Sequence, residues 1–181
     1  SLGIKHIANA STLLRKIRSV KTEVELAQVR VCAQKHVDVY KQIPSIYRKG
    51  MTDIELQIEI ERLMRMNGSL GIFRSYGENM DIYMGSLLVG KNAEIAFDFA
   101  LGGSGMNPIL PLGASGEMIE EGQTIMVDMA GNYSPWMTDM TRVFSVGKTS
   151  ELAYKAHQIS IEIHEYAMSV IKPGVSCAEI Y

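Results

Sequence analysis

Apolar positions recur at helical spacing toward both ends of the chain and at strand spacing through its middle. Residues 8–18 have the pattern of a short helix. Thr22, followed three positions later by Glu25, is a capping-box signature. In such a box the hydroxyl accepts from an early helix amide and the carboxylate reaches back to the amide of the cap. The helix it opens carries Leu26, Val29, Ala33, Val37 and Tyr40 on one stripe and is expected to stop before Pro44. A second box, Thr52 with Glu55, opens a helix with Ile54, Ile58, Leu63 and Met64 on one face, ending near Asn67 and Gly68. Residues 71–147 are rich in Gly, β-branched and aromatic types, and strands are predicted over 83–89, 95–101, 124–129 and 139–146. Glycines at 102, 103 and 105 mark a loop without the spacing of a phosphate cradle. Helical spacing returns over 151–171, with Leu152, Ala156, Ile159, Ile163, Ala167 and Val170 in one stripe. Ser176 with Glu179 then starts another helix. Helices, a block of antiparallel-looking strands and a further helix make the fold class α+β.

Composition narrows the possible functions. Of 181 residues, 46% are hydrophobic and 21% are charged, which suits a globular chain and not a disordered one. The net charge of -2 disfavours a general nucleic-acid or anionic-membrane binder. No apolar run is long enough to span a bilayer, and the N-terminus lacks a signal-peptide pattern. Cys32 and Cys177 are the only cysteines, far apart and without metal-ligand spacing, so a reducing, cytoplasmic setting is expected. The 12 methionines are scattered through apolar segments and are read as soft core filling. Ser1 at one end, and a helix start just before Tyr181 at the other, suggest a piece of a longer protein. Residues 1–12 are then the tail of a preceding domain or a linker.

The candidate chemistry lies in 122–147. Asp128 sits inside the apolar run Ile125, Met126, Val127 and Met129, which reads as a strand buried on both faces. A lone ionised carboxylate there is costly, so it must be protonated, hydrogen-bonded, paired or bound to metal. Asp139 follows 11 residues later at the start of a second strand, with a turn around Pro135 between them. Paired as a hairpin, the strands can set both carboxylates on one face, where they repel unless a cation separates them. All-oxygen ligands suit hard or borderline divalent ions. Thr141 shares a face with Asp139 and can donate a hydrogen bond to a ligating carboxylate. From spacing alone the alternatives stay open: Asp128 as a turn cap, and Asp139 paired with Arg142. Tyr133 and Trp136, in the turn, are either packing residues or part of a pocket rim.

The segment 127–144 resembles the signature of the pita-bread metallopeptidases, the family of methionine aminopeptidase, aminopeptidase P, prolidase and creatinase. The matching residues are Asp128 in an apolar strand, Gly131 and Tyr133 in the turn, and Asp139 followed by Met140, Thr141 and Arg142. The segments 18–21, 52–55, 119–122 and 172–174 follow the family's order, so the resemblance covers about residues 13–181. It implies the pita-bread α+β fold, incomplete at the C-terminus, with 13–181 as the N-terminal part of a catalytic domain. It also implies that Asp128 and Asp139 are two of five ligands to a pair of divalent metals (Mn, Co, Fe or Zn), one bidentate and one bridging. Thr141 would support them, and a metal-bound hydroxide would attack an amide carbonyl. Arg18 and Lys21 favour the prolidase and aminopeptidase P branch. The implied parent is therefore an Xaa-Pro aminopeptidase or dipeptidase acting on a peptide or small amide, often as a homodimer, with no nucleic-acid or membrane partner.

Two departures qualify this. The family's remaining His and two Glu ligands lie in the later half of its domain, past the position of Tyr181, so the 181-residue chain alone is expected to be inactive and no further catalytic residue is assigned. The family also carries a substrate-binding His before the first Asp, where this chain has Pro111 or Leu112. His6, His36, His157 and His164 do not fill that place. The change admits a creatinase-like or other small-molecule amidohydrolase, or a non-catalytic peptide-binding relative. The retained Asp pair speaks against the last.

Overall fold

The computed structural model describes residues 9–74, 81–82, 84–96 and 102–181. Four helices come first: α1 (Ser11–Ser19), α2 (Glu23–Tyr40), α3 (Ile43–Ile46) and α4 (Asp53–Met66). Strands β1 (Phe73–Arg74), β2 (Asp81–Ile82) and β3 (Gly85–Val89) follow, then a 3-10 turn over Gly90–Glu94. The chain closes with β4 (Thr124–Gly131), β5 (Thr138–Ser145), α5 (Glu151–Val170) and α6 (Cys177–Ile180). Strands β1 and β2 pair antiparallel, Phe73 opposite Ile82 and Arg74 opposite Asp81. The other sheet has the order β3-β4-β5. Only residues 132–137 join β4 to β5, a connection too short for anything but antiparallel pairing.

The helix starts follow the caps. Thr22 Oγ1 accepts from the Glu25 amide and the Glu25 carboxylate accepts from the Thr22 amide at 2.7 Å, so α2 opens with both halves of its box. Thr52 and Glu55 exchange the same two bonds. Pro44 falls in the first turn of α3, where its missing N–H leaves nothing unpaired. Helix α1 starts at Ser11 and runs to Ser19; Ala8, like His6, lies outside the described residues.

Two helices are rotated from their expected faces. In α2 the buried residues are Cys32, His36, Val39 and Tyr40, while Leu26, Val29, Ala33 and Val37 are half-buried. In α4 the buried row is Leu56, Gln57, Ile60 and Met64, and Ile58 is 55% exposed. Apolar residues at 54, 56, 58, 60, 63 and 64 make overlapping rows at helical spacing. Spacing cannot choose between such rows; packing does. The expected strand over 95–101 is represented by a single bridge between Ala96 and Gly102, and 97–101 lie outside the described residues, as does Tyr83.

The chain divides into two compact units. One comprises Ser1–Tyr47, Leu56–Gly85 and Asp128–Thr141, and its core includes Val39, Tyr40, Leu56, Ile60, Met64 and Met129. The other comprises Arg48–Glu55, Ser86–Val127 and Arg142–Tyr181, and its core includes Leu87, Val89, Leu112, Ile119, Ile125 and Val127. Among the described residues no helix is long and apolar enough to cross a membrane.

Candidate metal centre

The hairpin of β4 and β5 brings the sequence-selected residues together within the first unit. Alternation along β4 buries Ile125, Val127 and Met129 and leaves Thr124, Met126 and Asp128 half-exposed. The strand is therefore one-sided at Asp128, not buried on both faces as the unbroken apolar run suggested. Met126 on the open face is indistinguishable by periodicity from a buried residue. Thr141 Oγ1 donates to Asp128 Oδ1 at 2.7 Å, which sets Asp128 and Thr141 on one face of the hairpin. Asp139, two positions from Thr141 on the same strand, points to that face as well.

Asp128 is pushed above the usual carboxylate range, first by burial and then by the negative charge of Asp139; the Thr141 hydroxyl acts the other way. With Asp128 half-exposed and Asp139 exposed beside it, the two carboxylates are a donor set that would fit a divalent ion. They supply only part of a coordination sphere. Among the described residues no group of three or more His, Cys, Asp or Glu side chains is gathered.

Behind the hairpin lies a cluster that the sequence pattern did not single out. His36 is fully buried, and its Nδ1 is 3.0 Å from Thr138 Oγ1. Thr138 Oγ1 donates to the Gly131 carbonyl at 3.2 Å, so with that proton committed the imidazole Nδ1 carries the donor hydrogen. The Tyr40 hydroxyl donates to the Met140 carbonyl at 2.7 Å, and Cys32 Sγ donates to Ser134 Oγ at 3.0 Å. A Cβ on Gly131 would lie 2.6 Å from Thr138 Oγ1 and 2.7 Å from His36 Nδ1, which explains why glycine stands there. A buried histidine at an unremarkable helical position, about 100 residues before its partner Thr138, carries no local signal.

The two turn aromatics separate. Trp136 lines an open groove of about 1190 Å³ in the first unit, with Arg18, Lys21, Leu26, Ile72 and Met137 among its walls. Tyr133 packs instead toward α2, its ring centroid 6.3 Å from that of His36. Its hydroxyl has no hydrogen-bond partner among the described residues, and burial, with a smaller contribution from Cys32, pushes its pKa up to about 12.

In the second unit, Leu112 is buried and Pro111 exposed. The surrounding loop hangs on two polar residues that carry no motif. Asn92 donates to the Gly113 carbonyl and accepts from the Ser104 amide, at 2.9 and 2.8 Å. Asp53, fully buried, accepts from the amides of Ile54, Ser115 and Gly116 at 2.7–2.8 Å. Both cysteines are free thiols, and His157 and His164 are exposed on α5.

Residues 27–181 match the sequence profile described as metallopeptidase family M24. The chain belongs to that family. Within the M24 family it is 26% identical over 180 residues to the Xaa-Pro dipeptidase of Pyrococcus horikoshii, covering 98% of this chain and 44% of that protein. It is 24% identical over 182 residues to the probable dipeptidase PepE of Mycobacterium tuberculosis, covering 42% of it. Among solved structures it resembles the X-Pro aminopeptidase of Thermotoga maritima, with a TM-score of 0.71 at 25% identity, over 91% of this chain and 40% of that one. The aminopeptidase P of Escherichia coli shares the fold at a TM-score of 0.74 and 19% identity, over 95% of this chain and 34% of that one. The α+β fold is thus the pita-bread fold of M24 enzymes, and this chain spans less than half the length of the relatives it matches.

Proposed function

We propose that the complete protein is a divalent-metal-dependent hydrolase that cleaves an amide bond of Xaa-Pro character, with Asp128 and Asp139 as two of its metal ligands. The observation that carries this is the carboxylate pair on one face of the β4–β5 hairpin, with Thr141 bonded to Asp128 and the Asp139 charge felt there. Membership of the M24 family and similarity to Xaa-Pro dipeptidases support the reaction class. A divalent cation held there would supply Lewis acidity toward an amide carbonyl and make a bound water acidic enough to react near neutral pH. The chain's own residues do the rest. Asp128 and Asp139 provide hard oxygen donors. The Thr141 hydroxyl, by donating to Oδ1, fixes the Asp128 carboxylate plane and leaves Oδ2 to a ligand. Manganese is the cation to try first, and the proposal extends to a homodimer in the cytoplasm.

The test is Asp139→Asn in the complete protein, assayed on a proline-containing dipeptide with and without added Mn²⁺. Loss of metal activation is expected; activation equal to wild type would sink the proposal. A second reading, hydrolysis of a small non-peptide amide or amidine, is favoured by one observation: Leu112 is buried and apolar, where the related peptidases are expected to place a histidine. Cleavage of such a compound with no turnover of proline dipeptides would select it.

A further inference from the structure

We infer that His36 and Tyr40 of α2 are positioning residues for the carboxylate pair, holding β5 from behind so that Asp139 and Thr141 keep their place against Asp128. The inference rests on the metal-dependent reading above. Its basis is the placement of two hydrogen bonds. His36 reaches Thr138 and Tyr40 reaches the carbonyl of Met140, the residues on either side of Asp139 in β5. His36 and Tyr40 are four apart on α2, so they share one face, and their rings meet edge to face at 4.8 Å. Buried Cys32 and Val39 anchor the same helix, and Cys32 reaches the hairpin turn at Ser134.

The contact runs through both strands. His36 donates to Thr138 on β5, and Thr138 donates to Gly131 on β4, a two-bond chain from helix to outer strand to inner strand. Among the described residues β5 pairs with β4 alone, and its Asp139 and Thr141 are exposed. Such a strand is free to shift unless something fixes it from another side. Apolar residues at 36 and 40 would fill the same space but would not direct a backbone carbonyl or a threonine hydroxyl to one position. Directed bonds at 138 and 140 limit the movement of the residue between them, and metal–oxygen distances tolerate shifts of only about 0.2 Å.

The experiment measures Mn²⁺ affinity of the complete protein by isothermal titration, alongside the thermal midpoint of the metal-free form. Tyr40→Phe keeps the ring and removes only the hydroxyl. His36→Leu removes the donor, and His36→Asn keeps a donor near the place of Nδ1. Tyr40→Phe and His36→Leu are expected to weaken binding about tenfold, the lower range for groups outside the ligand sphere. His36→Asn is expected to recover most of that loss. A merely structural role predicts a lowered thermal midpoint with unchanged affinity and no recovery. Asp139→Asn separates the two claims. If it binds Mn²⁺ as wild type does, the metal reading falls and this inference with it. If it loses binding while Tyr40→Phe and His36→Leu bind as wild type does, the positioning inference alone is overturned. Should His36→Leu fail to fold, Tyr40→Phe decides.

Discussion

Helices α2 and α5 begin alike and end in different surroundings. Both are opened by a hydroxyl cap, Thr22 accepting from Glu25 and Ser150 accepting from Ala153. Both carry an apolar stripe at helical spacing. Helix α2 buries Cys32, His36, Val39 and Tyr40, whereas α5 buries no residue and leaves Leu152 76% and Ile163 62% exposed. The stripe therefore reports that a helix has a face to bury. It does not report what the face meets, nor which residues of a broad stripe meet it. In α2 the face is centred on polar residues that grip a hairpin, and no hydrophobic scale would have chosen His36.

The sharpest challenge to this contrast is Gly131→Ala. The added methyl meets His36 and Thr138 where α2 touches the hairpin, and a loss of about 3 kcal/mol is expected from overpacking. Urea denaturation showing no loss would mean that the contact is loose. Val39→Ala, at a position with no exposure, is expected to cost about 2 kcal/mol by the same measurement. Thr22→Ala, which removes the cap of α2, is expected to cost about 1 kcal/mol. Ile163→Ser on α5 is expected to stay within about 0.5 kcal/mol of wild type in this chain. A cost equal to that of Val39→Ala would abolish the contrast.

The last effect is one of pH. The folded-state pKa of Asp128 is raised, so between the ordinary carboxylate value and the raised one the folded chain binds a proton that the unfolded chain does not. Stability from this group is gained as pH falls through that window and lost as pH rises through it. Exposed Glu25 and Glu55 are lowered by their bonds to Thr22 and Thr52 and act in the opposite sense. The useful quantity is thus the difference between wild type and Asp128→Asn, both metal-free. That difference should shift in favour of wild type on acidification; a flat difference across the acid range would refute it.

Much of the hairpin was legible because its determinants are local. The apolar run ending at Asp128, the turn residues near Pro135 and the alternation from Asp139 place β4 and β5 within a few residues of where they lie. The capping boxes placed the starts of α2 and α4 for the same reason: hydroxyl and carboxylate are three residues apart and satisfy each other without help. The buried faces of α2 and α4 were less legible, since each helix carries more apolar residues than one face can bury. Asp53 and Asn92 were not legible at all. Each is an isolated polar residue whose partners, Ser115 and Gly116 for one and Ser104 and Gly113 for the other, are distant in sequence.

The sequence by itself determined where α2, α4, β4, β5 and α5 begin, that two carboxylates stand 11 residues apart across a turn, and which family pattern they match. Those are matters of spacing, capping and strand alternation, which act over a few residues. The tertiary structure decided that Asp128 is half-open and bonded to Thr141, and that His36 and Tyr40 lie behind the strand that carries Asp139. The contacts made by His36 and Tyr40 join residues about 100 positions apart. They form only once the chain has closed on itself, because no local preference distinguishes a histidine that meets a threonine from one that meets water.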